Sequence, residues 1–241
     1  MISFDNILPY LEGVKFSNHL LVNIGCSGFL SNKIICRDEF LTNLCKNKKV
    51  LHIGFLDHID LIEQKIKENL WLHAKLIESS KICYGLDIDA NGINYVKKKF
   101  GIKNIYFADI FNMNIPSEIY QVDFDLVLLP DVIEHLNDPV LFLSRMKKCF
   151  QNVEKLVITT PNAFRLQNFT NVLRGIEILN SDHRYWFTPY TLSKVVITAG
   201  FKKISIIYAE HRYTPRRKLL KKIILKKYPQ LRDCIILKCR F

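Results

Sequence analysis

From residue 50 onward, short apolar runs that stop at a polar or charged residue alternate with stretches of helical period. This alternation restricts the chain to an α/β fold on a mostly parallel sheet. Runs at 50–55, 82–88, 105–108, 124–129 and 156–160 read as buried-type strands, and 61–79, 91–100, 139–150 and 189–199 as helices. Gly200 supplies the stop signal of the last helix. Two β-branched runs, 203–208 and 233–238, are expected to pair antiparallel at one edge, bringing the sheet to seven strands with helices on both faces. Residues 1–46 break the rhythm. There, 19–23 and 33–37 are expected to pair as a hairpin around 25–32, and 38–45 to form a short helix. The expected organisation is a small N-terminal cap, 1–46, on a domain spanning 47–241.

A chain of 241 residues can bury a sizeable core, and its 49% hydrophobic and 24% charged residues are ordinary for a globular protein. No apolar run approaches the ~20 residues that span a bilayer. The N-terminus lacks a basic segment followed by an apolar one, the mark of a secretory signal. The seven cysteines are odd in number, include no CxxC pair and fall largely in apolar runs, so a reduced, cytoplasmic protein is expected. Much of the net charge of +12 is a lysine-rich surface. One cluster stands apart: RRKLLKKIILKKY, from Arg216, allows a basic amphipathic helix over 216–227. Such a helix can rest on an anionic membrane or an acidic substrate, or simply precede the last strand as a surface helix.

Parallel sheets deliver their chemistry at the carboxyl ends of the strands. A nucleoside cofactor there needs close backbone approach after the first strand, an acid for ribose hydroxyls after the second and an adenine contact after the third. VLHIGFLDH brings Gly54 and Phe55 to the first position. CYGLDID places Asp87 at the second, with Ile88 beside it to pack on adenine. FADI places Asp109 at the third, followed by Ile110. Asp131 ends the fourth strand, completing a register of polar tips. The alternative in which each acid only caps the next helix explains the set less well. LLVNIGCSGFL, with Gly25 and Gly28, competes as a glycine loop, but no acid-tipped strand follows it at the right distance and it reads as the hairpin.

The segment FDLVLLPDVIEHLNDP resembles the fourth strand and following turn of class I S-adenosylmethionine-dependent methyltransferases of type 11 and type 23. LHIGFLDH and Trp71-Leu72-His73 resemble the first motif and following helix of one subgroup. The resemblance covers most of the chain from Lys49 and implies a Rossmann-like sheet, S-adenosylmethionine as cofactor and methyl transfer. In place of the wider family's D-x-G-x-G-x-G, His52 replaces the acid and Gly54 alone remains, with Asp57 as a substitute contact for the methionine amino group. Asp87 would serve NAD equally well, but the G-x-G-x-x-G turn for a pyrophosphate is missing, and a sulfonium cofactor needs less of one.

Asp131, Glu134 and His135 stand at i, i+3 and i+4, sharing a face if the turn is helical, and His183 lies on the long connection after the fifth strand. Two carboxylates and two imidazoles suit a divalent ion such as Mg²⁺. The set is similar to the E-x-x-E-H plus distal His of ubiquinone-biosynthesis and small-RNA 2′-O-methyltransferases, which would make Asp131, Glu134, His135 and His183 the ligands. Without a metal, Glu134, His135 and His183 are the catalytic candidates, a histidine serving as general base. The connection 162–190, with Phe164, Arg165, Phe169, Arg174, Arg184, Tyr185, Trp186 and Phe187, is where acceptor choice is expected to reside. The function expected is O-methylation of a small or carrier-linked acceptor. Its rivals are RNA ribose methylation, against which no RNA-binding module is evident, and a non-catalytic methyltransferase-like binding protein, motivated by the reduced first motif.

Overall fold

The computed structural model describes residues 2–25, 33–211 and 219–241. Seven strands form the expected sheet: β2 (Lys49–Ile53), β3 (Ile82–Asp87), β4 (Ile105–Phe107), β5 (Leu126–Pro130), β6 (Lys155–Pro161), β7 (Lys202–Ala209) and β8 (Cys234–Arg240). A two-residue strand, β1 (Ile2–Ser3), extends it, in the order β1-β7-β8-β6-β5-β2-β3-β4. β4, β3, β2, β5 and β6 pair in parallel, and β8 runs antiparallel between β6 and β7. The chain winds outward from β2 to β4, then returns to β5 on the other side of β2. The order therefore reverses between β2 and β5, where open α/β sheets form a crevice.

Alternation along these strands feeds two cores. Leu51, Ile53, Val127, Leu129, Leu156 and Ile158 point to one face, and Val50, Leu126, Leu128 and Val157 to the other. The N-terminal residues join both cores: Ile2, Phe4, Ile7 and Leu11 pack on the first, Leu41 and Cys45 on the second.

Two expectations are corrected. The hairpin does not form in its described part: residues 19–23 have no strand, and Cys36 instead bridges Glu210 just beyond β7. Arg37 N donates to Glu210 O and Glu210 N to Ile35 O, both at 2.8 Å, so open backbone at the end of β7 takes the partner role. Gly28 lies outside the described residues. The helix expected over 61–79 is two, Ile59–Lys67 and Leu72–Ser79, because Asn69 adopts a left-handed φ of 52° between them. Trp71, just after that break, is buried and donates its indole N–H to Phe55 O at 3.1 Å.

Beside Trp71, His52 and His73 are buried with their Nδ1 atoms 3.1 Å apart. Burial holds His73 down at about 3, and burial with His73 as neighbour holds His52 well below its ordinary value. A depressed histidine pKa gives stability that is complete above its unfolded pKa near 6.5 and lost as pH falls toward the folded one. Acidification from neutrality to about pH 5 is expected to destabilise the wild-type chain by about 2 kcal/mol more than a His73→Phe variant, measured by urea unfolding. Equal losses in both would show that His73 does not titrate on unfolding.

Candidate active site

Gly54 follows β2 with φ of 71°, a conformation that favours glycine, and its N–H donates to Leu86 O at 2.8 Å. A Cβ added here would lie 2.2 Å from Val132 Cγ2. The loop after β2 thus passes directly against the loop after β5. Gly54→Ala, strained in backbone and in contact, is expected to cost about 2–3 kcal/mol in thermal or urea unfolding; a loss under about 0.5 kcal/mol would rule out that close approach.

Asp87, at the end of β3, ties two loops together. Its Oδ2 accepts from Leu56 N at 3.0 Å, and its Oδ1 from Ile88 N at 2.8 Å and Asp89 N at 3.2 Å. Burial raises its pKa, against the pull of those backbone donors. Asp109 holds its own turn, accepting from Asn112 Nδ2 at 2.6 Å and Asn112 N at 3.2 Å. Gly54, Asp87, Ile88, Asp109 and Ile110 line one narrow cavity of about 150 Å³, otherwise largely apolar, with Ala108, Phe111 and Phe142 among its walls. Gly54, Asp87, Ile88 and Val132 also line a larger cavity of about 840 Å³, so the two adjoin.

Asp57 and His58 lie on the rim of the larger cavity; Asp57 is ion-paired with Lys65. Phe55 is a correction. Its side chain lines neither cavity and is buried against Trp71 and His73, in space left open by the absence of a side chain on Gly85.

At the other end of the larger cavity Glu134, His135 and His183 converge, with one donor atom of each within 4.8 Å of the others. Glu134 is fully buried; its Oε2 accepts from Thr160 Oγ1 at 3.0 Å and its Oε1 has no partner among the described residues. Burial pushes its carboxyl up to about 7, although Thr160 works the other way. His135 Nδ1 lies 3.2 Å from Asp182 O, and its ring meets His183 edge to face at 4.7 Å between centroids. Burial lowers the pKa of both imidazoles, with Asp182 opposing it for His135 and His135 reinforcing it for His183. His183 Nδ1 is buried without a partner among the described residues.

The connection expected to choose the acceptor closes this end. Arg184 N and Tyr185 N both donate to Glu134 O, at 2.8 and 3.3 Å, and Arg184 Nε donates to His135 O at 3.1 Å. Arg165 stacks over Trp186 at 4.7 Å, and both line the cavity with Ile178 and Leu179. Phe187 is a core residue instead.

Asp131 does not join the cluster. With φ of 52° its backbone turns sharply, and its carboxylate accepts from Thr159 Oγ1 at 2.9 Å and pairs with Arg37 and, at 3.7 Å, with His211. Arg37 in turn bonds Asp38 Oδ1 at 2.8 Å, and Lys75 bonds Asp38 Oδ2 at the same distance. Burial would raise the Asp38 pKa, but Arg37 and Lys75 outweigh it and hold the carboxyl low. The four-residue ligand set is therefore reduced to Glu134, His135 and His183. Arg37 and His211, missed by sequence reading, carry no local motif and reach Asp131 only through the fold.

Residues 70–158 match the family described as Methyltransferase domain. No curated protein matches the chain by sequence. Among solved structures, the chain is similar to an S-adenosylmethionine-dependent methyltransferase from Thermotoga maritima, with a TM-score of 0.53, 12% identity and coverage of 88% of this chain and 92% of that one. It is also similar to the small RNA methyltransferase HEN1, with a TM-score of 0.56 and 15% identity, over 93% of this chain and 27% of that one. A third is the magnesium protoporphyrin IX methyltransferase from Synechocystis, solved with bound S-adenosylhomocysteine, with a TM-score of 0.50, 12% identity and coverage of 84% and 81%. These likenesses carry the fold, and the domain match spans residues 70–158 of the chain.

Proposed function

We propose that the chain transfers the methyl group of S-adenosylmethionine to an oxygen of a small or carrier-linked acceptor. The observation that carries this reading is Glu134, fully buried at the cavity with one carboxylate oxygen unpartnered among the described residues, beside His135 and His183. A buried, unsatisfied oxygen costs stability unless something completes it, and an acceptor hydroxyl would. The cofactor fits the adjoining spaces: Ile88, Ala108 and Ile110 offer an apolar slot for an adenine, Asp109 an acceptor for its amino group, and Asp87 an acceptor for ribose hydroxyls. When bound, it supplies a methyl group already activated on a sulfonium. The residues must then align the hydroxyl and remove its proton. If His135 Nδ1–H donates to Asp182 O, Nε2 is left as the bare nitrogen to take that proton. The Glu134 carboxylate, within 4.8 Å, offsets the imidazolium that results.

The same cluster favours a second reading. One carboxylate and two imidazoles fit a divalent ion with positions left open for acceptor oxygens, and Glu134 Oε1 and His183 Nδ1 both lack partners among the described residues. Such an ion would lower the pKa of a bound hydroxyl. Transfer of labelled methyl to a panel of phenols, sugars and amines, before and after chelation, tests both. Turnover of hydroxyl acceptors after chelation supports the metal-free reading. Loss restored by Mg²⁺ or Mn²⁺ supports the metal. Turnover of amines alone overturns O-methylation, and no thermal shift with S-adenosylhomocysteine favours a non-catalytic protein.

A further inference from the structure

The connection from β7 to β8 carries a nine-residue helix, Leu219–Lys227, that the cavity does not use. Its sequence, LLKKIILKK, holds four lysines and no acid. The helix is anchored from one side: Leu225 is buried, and Lys221 bonds Glu210 at 3.1 Å and approaches Asp233 at 3.9 Å. Leu219, Leu220 and Ile223 are 64%, 72% and 54% exposed. Lys222, Lys226 and Lys227 make no ion pair among the described residues. A surface helix built only to cover the core would bury its aliphatics and balance its charges. This one exposes both.

Its place in the fold matters. The turn Pro229–Leu231 follows the helix, and Asn162 Nδ2, just beyond β6, donates to Gln230 O and Arg232 O at 2.8 Å. The helix therefore stands at the carboxyl end of the sheet, where the larger cavity opens. The helix Leu166–Val172 rises from the same strand end, and Phe169, Val172 and Leu173 on it or just after it are exposed. No helix of the described residues is long and apolar enough to cross a membrane.

We infer that this end of the molecule docks on an anionic lipid surface. Leu219, Leu220 and Ile223 enter the headgroup boundary, and Lys222, Lys226 and Lys227 meet the lipid phosphates. Nucleic acid fits less well, since single-strand binding surfaces stack bases on successive aromatic rings, whereas Leu219–Lys227 has none and Tyr228 beside it already carries Lys227 over its ring. The inference does not depend on the methyl-transfer reading.

Sedimentation with phosphatidylcholine vesicles, with and without phosphatidylglycerol, tests it on the full chain. The wild type is expected to pellet with the anionic vesicles and stay in solution with the neutral ones. Joint Lys222→Ala, Lys226→Ala and Lys227→Ala substitution is expected to weaken binding on the order of 100-fold. Leu219→Ser with Leu220→Ser and Ile223→Ser is expected to reduce it at least about tenfold and to remove what persists at high salt. None of these positions is buried, so folding is expected to stay intact, which thermal melts of each variant establish. Wild-type protein that ignores anionic vesicles overturns the inference. So does binding to a single-stranded RNA, or self-association in gel filtration, that the same substitutions abolish while vesicles are not bound. S-adenosylhomocysteine titration of the same samples separates this outcome from failure of the cofactor reading.

Discussion

Asp87→Ala will lower S-adenosylhomocysteine affinity by about 100-fold or more in calorimetric titration. The Asp87 carboxylate accepts from Leu56 N, Ile88 N and Asp89 N, so one side chain fixes both the loop after β2 and the turn after β3. Asp87 also borders both cavities, where its carboxylate would accept the ribose hydroxyls. Hydrogen bonds to a charged group contribute roughly 1.5–3 kcal/mol each, and every ~1.4 kcal/mol is tenfold in affinity. Two such bonds alone reach the expected loss, before any disorder of the freed loops. Asp87→Asn keeps the shape but not the charge, and should lose less. Asp109→Ala should cost about tenfold or less, because that carboxylate already serves Asn112. Unchanged affinity in Asp87→Ala, with the fold intact by circular dichroism, would move the nucleoside elsewhere.

Glu134→Gln is expected to reduce kcat about 100-fold in chelator-treated buffer while leaving cofactor affinity unchanged. Wild-type turnover should rise with pH through about 7, as the buried carboxyl ionises, and this limb should vanish in the variant. Stability moves the opposite way. Burial raises Glu134 from the ordinary 4.5 to about 7, so its proton is held more tightly in the folded chain. The corresponding stability is full below about 4.5 and lost as pH rises through about 7. Above that pH the wild type buries an anion and the glutamine variant does not, so Glu134→Gln should unfold later in urea at about pH 8, by about 3 kcal/mol. A variant that is slower and also less stable at that pH would make Glu134 a packing residue whose loss disturbs the site.

The register of strand tips was legible because it depends on chain direction alone. In a parallel sheet every strand ends on the same side, so Gly54, Asp87, Asp109 and Asp131 had to gather there once the strands were assigned. Side-chain direction beyond the tip was not legible. Asp131 is turned away from Glu134 by its left-handed backbone and held by Arg37, which arrives from a helix 94 residues earlier in the chain. Phe55 follows Gly54 directly, yet turns inward because Gly85 on the neighbouring strand leaves room. The Glu134, His135 and His183 cluster was anticipated from residue type, but the spacing argument assumed a regular helical turn. The turn is the 3₁₀ segment Ile133–His135, and it excludes Asp131. The N-terminal hairpin failed for a tertiary reason, since residue 36 had an open backbone partner beyond β7 that no local pattern announces.

The connection that closes the cavity brings one of the cluster's imidazoles with it: His183 belongs to the 162–190 connection, while Glu134 and His135 belong to the 3₁₀ turn after β5. Glu134 O holds that loop by two backbone donors, so the loop is clipped to the turn that carries the carboxylate. An insertion or exchange there would change not only which molecule fits but also which groups receive its proton. On the proposed reading, selectivity and reactivity are inherited together in this architecture, and a relative with a different acceptor should differ in its proton-handling residues too.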